Sequence, residues 1–200
     1  MTKGDDTRTT ILDHATRKAA RVGLTGLTIG ALAKELKMSK SGLYSHFRSK
    51  EALQVQIIEH GAEHFTDLVI RPALKFPRGE PRLRALVENW LNWLDHHRSQ
   101  CGCLFIAAAS ELDDRPGPAR DRLVDQQRDL IDFVTSITRV AVDEGHFRAD
   151  LDATQFAHEC YGIVLAFHHS ARLMRDPKAL ERTRTAFERL LVSARTPDPR

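Results

Sequence analysis

Apolar residues recur at steps of three and four along most of the chain, and Gly, Pro and small hydroxyl or amide residues punctuate them, which predicts helices joined by turns. Ile11, Ala15, Ala19 and Val22 form the stripe of a first helix, capped near Thr7 and stopped by Gly23. Ile29, Leu32, Ala33 and Leu36 share one face of a short second helix, with Thr28 placed to cap it. Lys37-Met38-Ser39 interrupts that pattern, and Ser39 can cap a third helix from about Lys40 to Phe47, on which Leu43 and Phe47 point inward. Ser49 caps a long helix from Lys50 to about Val69. Pro72, Pro77, Gly79 and Pro81 break the chain, and Pro81 starts a helix carrying Leu83, Leu86, Trp90, Trp93, Leu94 and His97. A short helix from Cys103 to about Leu112 precedes the loop Asp113 to Pro118, and a long one follows with Leu123, Leu130, Phe133, Val134, Ile137 and Val140, ending near Gly145. Asp152 with Gln155 reads as a capping box for a helix to Met174, and Asp176-Pro177 starts the last, whose stripe is Leu180, Phe187, Leu190 and Leu191. The tail from Thr196 frays on this reading, and no internal repeat is present. The expected class is all-α: a three-helix helix-turn-helix head over residues 5–55, with its motif at about 28–47, and a larger helical domain over 56–195.

The segment from Thr28 to Leu53 carries visible chemistry. With Leu43 and Phe47 turned inward, Lys40, Ser41, Gly42, Tyr44, Ser45 and His46 are left to face a groove. Lysine and hydroxyl groups meet phosphates or base edges in a major groove that admits one helix, and Gly42 lets the backbone come close. From Ser39 to Lys50 the segment has Lys40, Arg48 and Lys50 but no Asp or Glu, so nothing repels a phosphate backbone. Thr28-Ile29, Leu32-Ala33, Met38-Ser39, Gly42, Leu43-Tyr44, His46-Phe47 and Ser49-Lys50-Glu51-Ala52-Leu53 together resemble the signature of the TetR family of bacterial transcriptional regulators. The resemblance covers roughly the first quarter of the chain. It implies a dimeric repressor on double-stranded operator DNA, with C-terminal helices that bind a small inducer. It also implies that Tyr44, His46 and Lys50 hold phosphates, that Thr28 anchors the first motif helix to the backbone, and that Ser39, Lys40 and Ser41 lie nearest the bases. Where the family commonly has Gly then Thr, this chain has Ser41 then Gly42, so no side-chain base contact carries over to position 42.

Charge sharpens this picture. The net charge of +3 says little by itself, but residues 1–50 hold ten Lys or Arg against four Asp or Glu, while the remainder holds 20 against 23. A basic head on a slightly acidic body fits a protein that sets one end on a polyanion. A hydrophobic share of 42% with 28% charged residues describes an ordinary chain with a real core. The polar, acidic start at Met1 to Asp6 is not a signal peptide, no stretch has the length of a membrane span, and three cysteines suit a reducing cytoplasm.

The body is read mostly as packing. On the helix from Asp152 to Met174, Ala157, Cys160, Val164, Phe167, Ala171 and Met174 step by threes and fours, and Phe156, Tyr161, Ile163 and Leu165 add apolar groups on other faces. Such a helix needs more than one partner surface. Pairing with its symmetry mate, together with Phe187, Leu190 and Leu191 of the last helix, would bury the excess in an isologous four-helix interface; a fully buried monomer core would use the same stripe. Phe65, Trp90, Trp93, Phe105, Phe133, Tyr161 and His168 are large enough to surround a pocket for a partly apolar inducer, and equally suited to plain core. His96-His97 with Cys101 and Cys103, followed by Cys160 and His168-His169, offers soft ligands for a metal or an oxidation sensor, although no paired spacing supports it. No acid partner accompanies these residues and no glycine-rich phosphate loop is present, so neither an enzyme nor a cofactor is expected.

Overall fold

The computed structural model describes the backbone of residues 3–100 and 102–196 and the side chains of 7–96 and 102–196. Ten α-helices run α1 (Lys3–Val22), α2 (Ile29–Glu35), α3 (Lys40–Phe47), α4 (Lys50–Phe65), α5 (Arg71–Ala73), α6 (Glu80–Gln100), α7 (Leu104–Leu112), α8 (Pro118–Asp143), α9 (Ala153–His168) and α10 (Ala179–Ala194) among these residues. The one β-type contact among them is a single antiparallel bridge, Phe147 to Arg195. No described helix is long and apolar enough to cross a membrane.

Packing divides the chain into two compact units, and the division is not a cut near residue 55. One unit comprises Met1–His64 with Gln100–Gln126, the other Phe65–Ser99 with Gln127–Arg200. In the first, Ile11, Ala15 and Ala19 of α1, Leu32 and Ala33 of α2, Leu43 and Phe47 of α3 and Leu53, Ile57 and Ile58 of α4 share a single core with Leu104, Ala108 and Leu112 of α7 and Leu123 of α8. Helix α7 lies against α1, because its buried positions 104, 108 and 112 repeat every fourth residue and need an apolar neighbour. Gly23, at φ +82, closes α1 with a hydrogen bond from its amide to the Ala19 carbonyl, the left-handed position that glycine takes without strain.

In the second unit α9 and α10 pack along their length. Leu83, Leu86 and Leu94 of α6, Val134, Ile137 and Ala141 of α8, and the inner faces of α9 and α10 fill its core. Glu80, 9% exposed, anchors a network: its carboxylate accepts from Arg195 (2.6 and 3.0 Å) and Arg84 (2.7 Å), and Arg84 also pairs with Glu188.

Several local expectations shift. Helix α1 starts at Lys3, four residues before Thr7. The helix expected to run to Val69 widens into a π-turn at Thr66–Ile70, where the Arg71 amide reaches the Thr66 carbonyl; Pro72 would clash with the carbonyl four residues back in a regular helix, and the wider turn relieves this. A second π-turn, His169–Leu173, replaces the end of the helix expected to reach Met174, and Arg175 at φ +53 terminates it. Asp152 caps α9 by accepting from the amides of Thr154 and Gln155, but the Gln155 side chain turns to Glu159 and leaves the box one-sided. On α10, Ala179 and Thr183 are buried while Leu180 is half-buried.

Candidate nucleic-acid interface

The motif is built from caps. Thr28, extended at φ −117, accepts from the Ala31 amide through Oγ1 (3.2 Å) and starts α2. At the other end the Met38 amide reaches the Ala33 carbonyl (2.9 Å) and the Lys37 amide the Lys34 carbonyl (3.3 Å), with Lys37 at φ +54. These are the two bonds of a Schellman turn, and Met38 packs partly buried against the core as that turn requires. A lysine takes the left-handed position usually given to glycine, which costs about 1 kcal/mol but places a cation at the turn.

Ser39 then caps α3, its Oγ accepting from the Gly42 amide at 3.0 Å and lying 3.2 Å from Ser41 Oγ. A Cβ at position 42 would stand 3.0 Å from that same Oγ, so glycine leaves the cap undisturbed and the backbone open. Leu43 and Phe47 are buried, while Lys40, Ser41, Tyr44, Ser45 and Arg48 are exposed, Tyr44 at 49%. Gly42 and His46 are half-buried, and the His46 ring tilts against Phe47 with centroids 6.1 Å apart. Ser45 donates to the Gly42 carbonyl at 2.7 Å. The hydroxyls of Thr28 and Ser39 are thus engaged as acceptors, and each O–H remains a donor that suits a phosphate oxygen.

No carboxylate stands on the exposed face of α3. The acid of α2, Glu35, turns to α1, where hydrogen bonds from His14 (2.8 Å) and then Lys18 hold its carboxyl below the ordinary range. Lys50 donates to the Thr25 carbonyl at 2.8 Å, across the turn between α1 and α2. That turn is clamped twice more: Gln54 donates to the Leu24 carbonyl (3.0 Å), and Glu111 of α7 accepts from the Thr25 amide (2.9 Å) and hydroxyl (3.0 Å). Sequence reasoning missed Glu111 because it lies 86 residues from its partner; Arg48, exposed beside the expected phosphate contacts, was legible as a cation in an acid-free run.

Other expected site residues scatter. Phe65 meets Trp90 and Trp93 edge-on at 5.6 and 5.7 Å, and Trp90 meets Tyr161 at 5.9 Å, so four of the seven aromatic or histidine candidates for a pocket form one cluster. Tyr161 donates to Gln127 at 2.5 Å. His168 is half-buried with Nε2 unpartnered among the described residues, and burial, then Arg172 and His169, depress its pKa. Phe133 is half-buried on α8. Phe105 belongs to the other unit, packed beside Gly61 and the core of the head, and is removed from the pocket set.

The stripe expected to pair two protomers is already used inside one. Ala157, Cys160, Val164, Phe167 and Ala171 are at most 3% exposed, and Phe187, Leu190 and Leu191 at most 8%, because α9 and α10 turn these faces toward their own unit. Met174 alone is open, at 66%. The faces left outward carry Gly162, Ile163, Leu165 and Ala166 on α9 and Ala186, Arg189, Val192 and Ser193 on α10, with Leu165 37% and Val192 63% exposed; several of these residues line a shallow groove between the two helices.

The cysteine and histidine set also divides. Cys103, buried at the N-cap of α7, and Cys160, buried on α9, lie in different units, and burial pushes the Cys160 thiol up to about 12. His96 and His169 are exposed, and Cys101 and the His97 side chain lie outside the described residues. The histidines that do converge on a carboxylate are His60 and His64, with Asp13.

Residues 11–57 match the family described as bacterial regulatory proteins, tetR family, and residues 79–187 match the tetracyclin repressor-like C-terminal domain. The HTH-type transcriptional repressor NemR of Escherichia coli (strain K12) is 26% identical over 184 residues, spanning 88% of this chain and 89% of NemR. Among solved structures, a TetR-family transcriptional regulator from Cytophaga hutchinsonii aligns with a TM-score of 0.88 at 18% identity over 99% of both chains. AibR, solved with isovaleryl coenzyme A and operator DNA, aligns with a TM-score of 0.68 at 23% identity over 89% of this chain and 97% of AibR.

Proposed function

The chain belongs to the TetR family of bacterial transcriptional regulators, and from that premise we propose that it is a homodimeric repressor that grips a palindromic operator and lets go when a partly apolar small molecule enters its helical body. The observation that carries this reading is the outer face of α3: Lys40, Ser41, Tyr44, Ser45 and Arg48 exposed together, with no acid among them, on a helix held by Leu43 and Phe47. Lys40 and Ser41 lie nearest the bases, with Ser39 at the helix start and the Gly42 backbone closing in. Thr28, Tyr44, His46 and Lys50 hold phosphates on either side. Lys50 exchanges its Thr25 carbonyl for a phosphate, a stronger partner for an ammonium.

Two such heads read half-sites a whole number of helical turns apart when the protomers pair symmetrically. The outward faces of α9 and α10 supply the pairing surface in place of the inner stripe, since Ile163, Leu165, Ala166 and Val192 are the apolar groups their own unit leaves uncovered. The inducer contacts the cluster of Phe65, Trp90, Trp93 and Tyr161, with His168 as a polar group to orient it. Burial of Cys103 and Cys160 gives no support to a sensor built on Cys101, Cys103, His96 and His97.

The test is fluorescence anisotropy of the purified protein on DNA flanking its own gene, against scrambled DNA, over a salt series. Tight, sequence-dependent binding that strengthens as salt falls is the expected result. Equal, weak binding to both DNAs, with and without a screen of apolar carboxylates and thioesters, would overturn the reading.

A further inference from the structure

We propose that Asp13, His60 and His64 form a site for one divalent transition-metal ion of the zinc class, tying α1 to α4 inside the N-terminal unit. The proposal goes beyond the regulatory reading and does not depend on it. His60 and His64 stand one turn apart on α4, which sets both imidazoles on the same face, with ring centroids 4.5 Å apart and planes tilted by 58°. Asp13 comes from α1 to meet them: its Oδ1 lies 2.7 Å from His60 Nε2 and 3.5 Å from His64 Nε2, and the three ligand atoms all lie within 4.8 Å of one another.

The geometry is close to that of a coordination shell. Bonds of about 2.0–2.1 Å at tetrahedral angles set neighbouring ligand atoms roughly 3.3–3.4 Å apart. The Asp13 to His64 gap already has this size. The Asp13 to His60 contact is a hydrogen bond and has to open by about 0.6 Å, within reach of small χ adjustments in a carboxylate and an imidazole. Two imidazole nitrogens and one carboxylate oxygen suit zinc, nickel or cobalt, whereas calcium and magnesium ask for an all-oxygen shell.

The surroundings fit the same ion. His60 is 8% exposed, Asp13 is half-buried and the His64 side chain is 50% exposed, so the inner ligand is shielded and the outer one opens a path from solvent with room for a water as fourth ligand. Without an ion, one carboxylate oxygen faces two imidazoles and satisfies one of them well. With an ion, all three groups are satisfied at once, and one carboxylate against a doubly charged cation leaves no excess negative charge. Glu59, the neighbouring acid on α4, is engaged by Arg122 at 3.1 Å and does not compete for the position.

The experiment titrates the tag-free, chelator-stripped full-length protein with Co2+ alone, following the visible bands of the low-symmetry ion, and then displaces it with Zn2+. The expected result is saturation at one equivalent per chain. In His64→Ala and Asp13→Asn, affinity falls by at least the roughly 10–100-fold that loss of an outer-shell partner already costs. Cys101→Ser/Cys103→Ser binds as the wild type does. His64 is half-exposed, so His64→Ala keeps its fold, which far-UV dichroism and the metal-free melting temperature verify. Zn2+ raises the melting temperature of the wild type and leaves that of His64→Ala unchanged, because an ion binding only the folded state stabilises it. Absence of stoichiometric Co2+ uptake, uptake that survives both ligand substitutions, or uptake that follows the cysteines would each overturn the proposal.

Discussion

Gly23→Ala tests how the head is closed. At φ +82 any L-residue pays about 1–2 kcal/mol for the left-handed conformation. The new methyl would also stand 1.6 Å from Glu111 Oε1 and 2.5 Å from Glu111 Cδ, so the carboxylate must swing away. Its two hydrogen bonds from Thr25 go with it. They are charge-assisted but half-exposed, and water replaces them in part, so the loss is about 1–2 kcal/mol for the pair. The total is about 2–4 kcal/mol, or roughly 5–15 °C in melting temperature for a chain of this size. Glu111→Ala alone loses only the hydrogen-bond share. The double variant Gly23→Ala/Glu111→Ala has no carboxylate left to displace, so it is about as stable as Gly23→Ala alone, and the two substitutions couple by about 1–2 kcal/mol. Urea unfolding followed by far-UV dichroism, at one fixed protein concentration, measures all three variants against the wild type. Simple additivity would refute the reasoning, because it would mean that the methyl at position 23 displaces nothing that Glu111 holds.

In the second unit, Glu80→Ala removes the acceptor of Arg195 and Arg84 and costs about 1–3 kcal/mol, less than a fully buried pair because both arginines still reach water. Hydrogen bonds from Arg195 first, and Arg84 as well, hold the Glu80 carboxyl below its ordinary value, so its contribution is complete above about pH 4.5 and is lost as pH falls through the lower folded value. A urea-unfolding series from pH 6 to pH 3 therefore shows a steeper decline for the wild type than for Glu80→Gln; parallel curves would contradict this. Cys160, its thiol pushed up to about 12 by burial, reacts with DTNB only as fast as the fold opens, and labelling faster than global unfolding would show an accessible thiolate. Lys50→Ala weakens all DNA binding alike and reduces the log–log salt slope by about 0.9, as expected for one phosphate contact, whereas Lys40→Ala or Ser41→Ala changes which operator is preferred in a randomised pool. Loss of affinity for a single sequence in Lys50→Ala, or an unchanged preference in the other two, would reverse those roles.

The caps at Thr28, Ser39 and Ser49, the buried pair Leu43 and Phe47 and the acid-free face of α3 were legible in the sequence because each is local. A cap joins residues three apart, a helical face repeats every three or four, and the chain states both directly. Apolar period also gave most of the helices. It does not say which surface a stripe meets, and there the tertiary structure decided. Ala157, Cys160, Val164 and Phe167 are a buried stripe as their spacing required, yet they face their own unit and leave Ile163, Leu165 and Val192 outside. Residues 104–123, by position part of the body, complete the core of the head, since Leu104, Ala108 and Leu112 find their apolar partner on α1. Pro72 announced a break without showing that the helix would widen to pass it. His60 and His64 were visible as a one-turn pair, but the carboxylate that meets them comes from 47 residues away, and the acid that clamps Thr25 from 86. Local free energies are written in neighbouring residues; the choice of a distant partner is made only when every face competes for the same limited interior.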